Sequence, residues 1–203
     1  MTANYMVITI AACEPGYVEE ALGHVGTLVG ELKEKASCVG ARYGVLGTGM
    51  DAGSLMLFQS YAGLGDVEKV FEVYANSSAY QAVITSGKVS VTLRNIVKLE
   101  GVGLSNPSTD TPSYGVVTLV SGAALNAERV RGLVPNFEQS GAMMMRFGTL
   151  ITGSNAGKKV VAVSYPSMDA IEKTYDGLRP SADYQSLRTE VRIERREIVR
   201  IVG

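Results

Sequence analysis

The segment RYGVLGTGMDAG at residues 42–53 reappears as RFGTLITGSNAG at residues 146–157, and this repetition decides the fold of the chain. With the same offset of 104 residues and no gap, Tyr80 aligns with Tyr184. A repeat of roughly 100 residues is too long for a solenoid unit and has the size of a small domain. The sequence therefore predicts two copies of one domain fused head to tail.

The predicted elements follow the same order in both repeats. In each, a β-branched strand precedes an amphipathic helix, two strands joined by a Gly-rich turn, a second helix and a last strand. This β-α-β-β-α-β order is that of the ferredoxin-like unit. We assign repeat one to residues 1–100 and repeat two to residues 114–203, with a linker rich in Gly, Pro, Ser and Thr at residues 101–113.

The composition is that of an ordinary globular protein and argues against several classes of function. The 203 residues carry a net charge of −1 and no basic stripe, so nucleic acid is not expected as a partner. No apolar run approaches the roughly 20 residues of a membrane helix, and the N-terminal stretch lacks the basic region of a signal peptide. Cys13 and Cys38 have no metal-type spacing and are expected to be reduced thiols. We therefore predict a cytoplasmic protein without a membrane partner.

Two short segments carry a resemblance to a known family. NSSAYQAV at residues 76–83 and PSADYQSL at residues 180–187 resemble the stretch that closes the second helix in many small members of the dimeric α/β-barrel superfamily. The resemblance implies an α+β fold in which two fused ferredoxin-like units form one pseudo-dimeric antiparallel α/β barrel. It also implies a monomeric pseudo-dimer or a homodimer. Members of this superfamily include cofactor-free monooxygenases of phenolic or quinone-like compounds, haem enzymes, isomerases, decarboxylases and proteins of unknown role.

The last strand of each repeat carries polar residues in an otherwise apolar register. If the strands alternate strictly, Arg195 and Glu197 lie on the apolar face in repeat two, and Asn95 lies there in repeat one. Buried charge is costly unless it is paired, so Arg195 and Glu197 indicate a polar anchor in a pocket between sheet and helices. An exposed strand end, or a bulge that redirects both side chains, is the alternative. Because repeat one lacks the two charges, we predict a single site in repeat two, with repeat one as its scaffold.

Several other side chains are candidates because they recur or because of their chemistry. Arg42 and Arg146 are identical between the repeats and either project into a ligand site or form structural ion pairs. Tyr184 repeats a tyrosine of repeat one, and packing with a satisfied hydroxyl is the alternative to a functional role. Met145 ends a run of three methionines, which adapt to ligands as well as filling cores. The candidate ligand-binding residues are Arg146, Arg42, Asn95, Met145 and Tyr184.

The sequence contains no strong catalytic motif. His24 is the only histidine and is predicted on the polar face of the first helix, so neither a metal site nor a Ser-His-Asp triad is indicated. No cofactor is predicted. The resemblance implies a small-molecule enzyme or binder, and the leading form is a cofactor-free monooxygenase of aromatic or quinone-like compounds. Arg195 would then stabilise developing negative charge, and Glu197 or Tyr165 would move a proton. A non-catalytic ligand-binding, regulatory or assembly protein is the alternative, and whether the chain is an enzyme stays open.

Overall fold

The computed structural model describes residues 2–203, which divide into two compact units. Unit one comprises the residues up to Lys98 together with Ile201–Gly203, and unit two comprises Leu99–Arg200. The segment predicted as a linker is thus counted with unit two, and the predicted domain boundaries themselves stay a prediction. No helix within residues 2–203 has the length and apolar character needed to cross a membrane.

Unit one is a four-stranded antiparallel sheet with helices packed on one face. Its elements are β1 (Tyr5–Cys13), a short 3-10 turn (Pro15–Tyr17), α1 (Val18–Lys35), β2 (Gly40–Leu46), β3 (Leu55–Tyr61), α2 (Leu64–Asn76), α3 (Ser78–Thr85) and β4 (Val89–Leu99). The strands lie in the order β4-β1-β3-β2, which is the ferredoxin-like order. The predicted unit is therefore confirmed, with one helix more than expected.

Unit two repeats this arrangement. Its elements are β5 (Tyr114–Ser121), α4 (Ala127–Gln139), β6 (Met144–Leu150), β7 (Lys159–Tyr165), α5 (Met168–Leu178), α6 (Ala182–Glu190) and β8 (Arg192–Ile201). The strands lie in the corresponding order, β8-β5-β7-β6, and all neighbours are antiparallel.

The additional helix in each unit differs from the sequence prediction. The stretch expected to close the second helix instead begins a new one, α3 or α6. Ser77 is extended (φ −79°, ψ 117°), and its side chain accepts a hydrogen bond from the Tyr80 amide. Ser181 caps α6 in the same way and accepts from the Tyr184 amide. Such caps satisfy free amides of a first helical turn. The motif therefore fixes both tyrosines at the start of a short helix.

The apolar core of each unit lies between its helices and one face of its sheet. In unit one, Leu32 of α1 and Val70 of α2 are buried with Val7 of β1. In unit two the equivalent cluster includes Val102 and Leu104, which the sequence analysis had placed in the linker. Full burial of an aliphatic side chain stabilises a fold by roughly 1.5–3 kcal/mol, so these two residues anchor the segment that follows β4.

A β-bulge lies at the same place in the last strand of each unit. In unit two, Arg195 pairs with Leu119, but Ile193 pairs with the next residue of β5, so Glu194 is an extra residue. In unit one the extra residue is Thr92. One inserted residue reverses the alternation of the strand. The strict alternation assumed from the sequence is therefore wrong across the bulge, and Ile193 and Arg195 face opposite sides of the sheet.

Candidate functional site

Each unit contains a small cavity between its helices and the helix-facing side of its sheet. The unit-one cavity has a volume of about 50 Å³ and is lined mostly by apolar side chains of α1, α3 and strands β1 to β4. The unit-two cavity has a volume of about 70 Å³ and is lined by the corresponding elements. A single water needs about 10–15 Å³, so each cavity has room for several atoms of a small molecule.

The polar residues of the two cavities occupy equivalent places in the sheets. In unit one, Arg94 of β4 lies directly beside Thr9 of β1. In unit two, Arg196 of β8 lies directly beside Thr118 of β5. Each pair belongs to a cross-strand row on the helix-facing side. The two rows are Tyr43–Leu57–Thr9–Arg94 and Phe147–Val161–Thr118–Arg196.

Arg94 is held at the unit-one cavity by neutral groups. Its Nε donates to Thr9 Oγ1 at 3.3 Å, and its Nη2 donates to the Tyr80 hydroxyl at 3.3 Å. The guanidinium carbon lies 4.3 Å from the centroid of the Tyr74 ring, and Tyr74 stacks on Tyr80 with the ring centroids 4.5 Å apart. A guanidinium that stacks on a ring is held in one plane, so the orientation of Arg94 is fixed by this contact and its two hydrogen bonds.

Arg196 makes the corresponding contacts in unit two, although it is exposed where Arg94 is half-buried. Its Nε donates to Thr118 Oγ1 at 3.2 Å, and its Nη2 donates to the Tyr184 hydroxyl at 3.4 Å. Its guanidinium carbon lies 4.5 Å from the centroid of the Tyr175 ring. The aromatic ring thus comes from a different position along the second helix, because Tyr74 aligns with Leu178 and Tyr175 aligns with Phe71. The two clusters therefore share the arginine, the threonine and the tyrosine hydroxyl but differ in the position of the ring that stacks on the arginine.

Neither guanidinium has a counter-ion within its unit. In the described part of the chain, no carboxylate oxygen lies within 4.0 Å of Arg94 or Arg196, although several other arginines and lysines do have a carboxylate within that distance. A half-buried charge beside apolar walls, such as that of Arg94, is costly unless an anion or hydrogen-bond acceptors compensate it, whereas the exposed Arg196 keeps more of its hydration. The side chains around each arginine supply only neutral oxygens and rings, so the arrangement favours an incoming anion.

A buried chain of hydrogen bonds holds the Tyr74 ring at the unit-one site. The Tyr61 hydroxyl donates to Gln59 Oε1 at 2.6 Å, and Gln59 Nε2 donates to the Tyr74 hydroxyl at 2.7 Å. Burial raises the pKa of Tyr74, and the charge of Arg94 and the hydrogen bond from Gln59 offset only part of that rise. Tyr74 is therefore a neutral phenol at physiological pH and acts as a fixed ring under Arg94.

The structure brings Arg195 and Glu197 together as an ion pair. Arg195 Nη2 lies 2.6 Å from Glu197 Oε1, and Glu197 is 5% exposed. Because of the bulge, both side chains are on the sheet face opposite the cavity. Tyr165 is fully buried on the helix-facing side, so the structure does not bring it to the pair. The role predicted for these three residues stays a prediction.

The other candidates divide between the two faces of the sheet. Met145 and Tyr184 line the unit-two cavity. Arg146 is in one row with Glu197 on the opposite face, three strand spacings or about 14 Å away. Burial lowers the pKa of Arg146, whose Nη1 donates to the Met145 carbonyl oxygen at 3.4 Å. The equivalent row of unit one joins Arg42 to Asn95.

Sequence reasoning missed the two arginines that line the cavities. The gapless offset of 104 residues holds only for the middle of each repeat. Thr9 and Thr118 match at an offset of 109, and Arg94 and Arg196 match at an offset of 102. Aligning the outer strands separately would have shown YxVxT in both first strands and RxIV in both last strands. These matched residues were the available signal.

The unit-one cavity does not fit a haem, although some members of the superfamily that the sequence resembles are haem enzymes. A haem iron needs an axial ligand such as His, Cys, Met or Tyr. His24, predicted on the polar face of α1, lies half-buried at the rim of the unit-one cavity, with Nε2 3.9 Å from Glu20 Oε1. The hydroxyls of Tyr74 and Tyr80 are bonded to Gln59 and Arg94, and a cavity of about 50 Å³ is far smaller than the macrocycle. Within residues 2–203, no group of three His, Cys, Asp or Glu side chains could hold a metal ion.

The fold is shared with solved structures of low sequence identity. A provisionally assigned monooxygenase from Fusobacterium nucleatum is 12% identical, with a TM-score of 0.72 over 100% of this chain and 94% of that chain. Another, from Lactobacillus acidophilus, is 13% identical, with a TM-score of 0.62 over 99% and 94%. A chlorite dismutase variant from Candidatus Nitrospira defluvii is 9% identical, with a TM-score of 0.62 over 100% and 93%. The likeness shows a shared fold, and the predicted fold class of two fused ferredoxin-like units is confirmed.

A family profile matches the chain in two segments. The profile is described as Domain of unknown function (DUF6854), and it matches residues 3–99 and 112–201. The chain therefore belongs to this family. No curated protein matches the sequence.

Proposed function

We propose that the protein binds a small, mostly apolar molecule through an anionic oxygen in the cavity of each unit. The observation that carries this proposal is the duplicated cluster in which Arg94 or Arg196 is held by Thr and Tyr side chains without a carboxylate partner. The walls of the two cavities differ, but each cavity has an arginine on its last strand, beside the equivalent threonine of its first strand. A purely structural arginine needs no such cavity beside it.

The chemistry of the walls defines the ligand class. A carboxylate or phenolate oxygen on a guanidinium makes charge-assisted hydrogen bonds worth roughly 1.5–3 kcal/mol each. The aliphatic and aromatic lining adds roughly 25 cal/mol per Å² of apolar ligand surface removed from water. A small aromatic acid or phenol has both features, because it combines an apolar ring for the walls with an anionic oxygen for the arginine.

The proposal is tested by binding of benzoate and 1-naphthoate to the full chain. We expect the double variant Arg94→Gln/Arg196→Gln to weaken binding at least tenfold, because the charge-assisted bonds are lost. The double variant Arg131→Gln/Arg179→Gln, at exposed positions outside both cavities, is the charge-matched control and should bind like the unaltered chain. Arg195→Gln tests the site predicted from the sequence on the opposite face. If Arg195→Gln abolishes binding and the double variant does not, the cavity proposal fails.

The finer function that we propose is cofactor-free monooxygenation of an aromatic or quinone-like compound. The fold shared with two provisionally assigned monooxygenases supports it. In such a reaction O2 converts a ring-activated CH2 group to a carbonyl. One oxygen atom enters the product, the other leaves as water with both hydrogens, and the substrate supplies all four electrons. A guanidinium beside the cavity would stabilise the substrate anion that reacts with O2.

The site residues of this reaction have two assignments. In the assignment from the cavities, Arg94 or Arg196 stabilises the substrate anion. In the assignment from the sequence, Arg195 stabilises the charge and Glu197 or Tyr165 moves the proton. Oxygen uptake with a small bound aromatic compound that carries a ring-activated CH2 group separates the enzyme from a non-catalytic binder, because a binder consumes no oxygen above the rate of the free compound.

A further inference from the structure

The two cavities differ at one wall position that carries charge. Ile84 of α3 and Arg188 of α6 align at the offset of 104 residues, and both line their cavities. Each follows its cavity tyrosine, Tyr80 or Tyr184, by four residues. Side chains four apart lie on the same face of a helix, with Cβ atoms roughly 5–6 Å apart. Arg188 is therefore one helical turn from the tyrosine that bonds Arg196.

The charge around the unit-two cavity is uncompensated. Arg188 and Arg196 both line it, and no acidic residue does. Three acidic residues on the same elements are engaged elsewhere: Glu190 pairs with Arg129 at 2.7 Å, Glu194 is close to Lys158 and Arg192, and Glu197 pairs with Arg195. The fourth, Asp183, is exposed at the start of α6 and does not line the cavity, whose two arginines are themselves exposed.

The unit-one cavity has a different lining. Arg94 is its one arginine, and the only other titratable groups among its lining residues are His24 and the phenols of Tyr43, Tyr74 and Tyr80. The position of the second arginine is occupied by the apolar Ile84. The two cavities therefore present the same anchor with different total charge.

We propose that the cavities have different specificities: unit one takes a singly anionic aromatic compound, and unit two takes an aromatic compound with two acidic groups. This inference rests on the proposed function, since it assumes that each arginine binds a ligand oxygen. In unit two one acidic group binds Arg196 and the second binds Arg188. In unit one the second group meets Ile84 and loses part of its hydration without a partner, which disfavours it.

The test compares benzoate with isophthalate, which adds one carboxylate to the same ring. Methyl NMR of the full chain reports each cavity separately, through Val83 for unit one and Leu187 for unit two. We expect isophthalate to bind the unit-two cavity about tenfold more tightly than benzoate, an advantage that shrinks at high salt because exposed charges are screened. At the unit-one cavity benzoate should bind at least as tightly as isophthalate.

Exchanging the two wall residues should exchange the preference. Arg188→Ile should remove the isophthalate preference of unit two, and Ile84→Arg should create one in unit one. Arg188→Gln repeats the first test with a polar exposed side chain, in case the isoleucine variant aggregates. Arg131→Gln controls for net charge and should change neither ratio.

The outcomes separate this inference from the function on which it rests. If both probes bind both cavities and their affinity ratio is the same in every variant, the difference in specificity is overturned and the binding function stands. If neither probe shifts either methyl signal at millimolar concentration, both proposals are overturned.

Discussion

Equivalent strands of the two units place the same tyrosine in two different surroundings. In unit one, Tyr61 at the end of β3 is fully buried and bonds Gln59, which in turn bonds Tyr74. The hydrogen bonds run unbroken from the core to the ring beneath Arg94. Buried polar groups are tolerated when every member of such a network has a partner.

Unit two lacks the equivalent of this hydrogen-bond network. Val163 occupies the position of Gln59, and Leu178 occupies that of Tyr74. Tyr165 is retained and fully buried, but its hydroxyl makes no hydrogen bond. Burial raises the pKa of Tyr165, and the hydroxyl of the neighbouring Thr174 donates to the Ala170 carbonyl oxygen instead.

The difference shows that the cavity arginine does not depend on one particular support. Unit two has apolar residues in place of both Gln59 and Tyr74, and the ring beneath its arginine is that of Tyr175 on the equivalent helix, α5. Exchanging only one member would have left buried polar atoms unpaired. The retained feature is the arginine with its Thr and Tyr hydroxyl partners, which is where a ligand is proposed to bind.

The largest effect is expected from breaking the network at its centre. Gln59→Val leaves the hydroxyls of Tyr61 and Tyr74 without their partners and should lower the free energy of unfolding by about 2–4 kcal/mol. Chemical denaturation of the full chain measures the loss. The double variant Gln59→Val/Tyr74→Leu copies unit two, so adding Tyr74→Leu should cost about 1–2 kcal/mol less in this background than alone. Simple additivity of the two changes would show that the residues do not act as a pair.

A smaller effect is expected at alkaline pH. Burial raises the pKa of both Tyr61 and Tyr165 above the ordinary value of 10.0, so each is neutral when folded and ionises on unfolding. Their stabilising contribution is complete below about pH 10 and falls above it by roughly 1.4 kcal/mol per pH unit for each tyrosine. Tyr61→Phe and Tyr165→Phe should each reduce the slope of unfolding free energy against pH by that amount. An unchanged slope would mean that the hydroxyl ionises equally in the folded chain.

The smallest effect is expected from the same two substitutions at neutral pH. Tyr61→Phe removes a hydrogen bond and leaves Gln59 Oε1 unpaired, so it should cost about 1–2 kcal/mol. Tyr165→Phe removes a buried hydroxyl that has no partner, so the free energy of unfolding should stay the same or rise by up to about 1 kcal/mol. Thermal unfolding of the two variants side by side gives the difference. Equal losses would contradict the contrast between the two units.

The candidate site could be predicted from the sequence only in part. Met145 and Tyr184 were chosen for their chemistry and line the unit-two cavity, while Arg195 and Glu197 pair on the other face. The assumed strict alternation fails at one inserted residue, Glu194, because alternation is a local pattern and a bulge is defined by the partner strand. Arg196, the neighbour of the chosen residue, is the arginine at the cavity.

The sequence by itself determined the duplication, the β-α-β-β-α-β order of each unit and the fold class, because repetition and hydrophobic periodicity are written along the chain. Tertiary structure alone decided which side chains share a face of the sheet, which ring lies beneath each arginine and which arginine lacks a counter-ion. These features depend on the register between strands and on contacts across some 80 to 85 residues, such as that between Arg94 and Thr9. Pairing of that kind follows from the packing of the whole unit, so no local pattern records it.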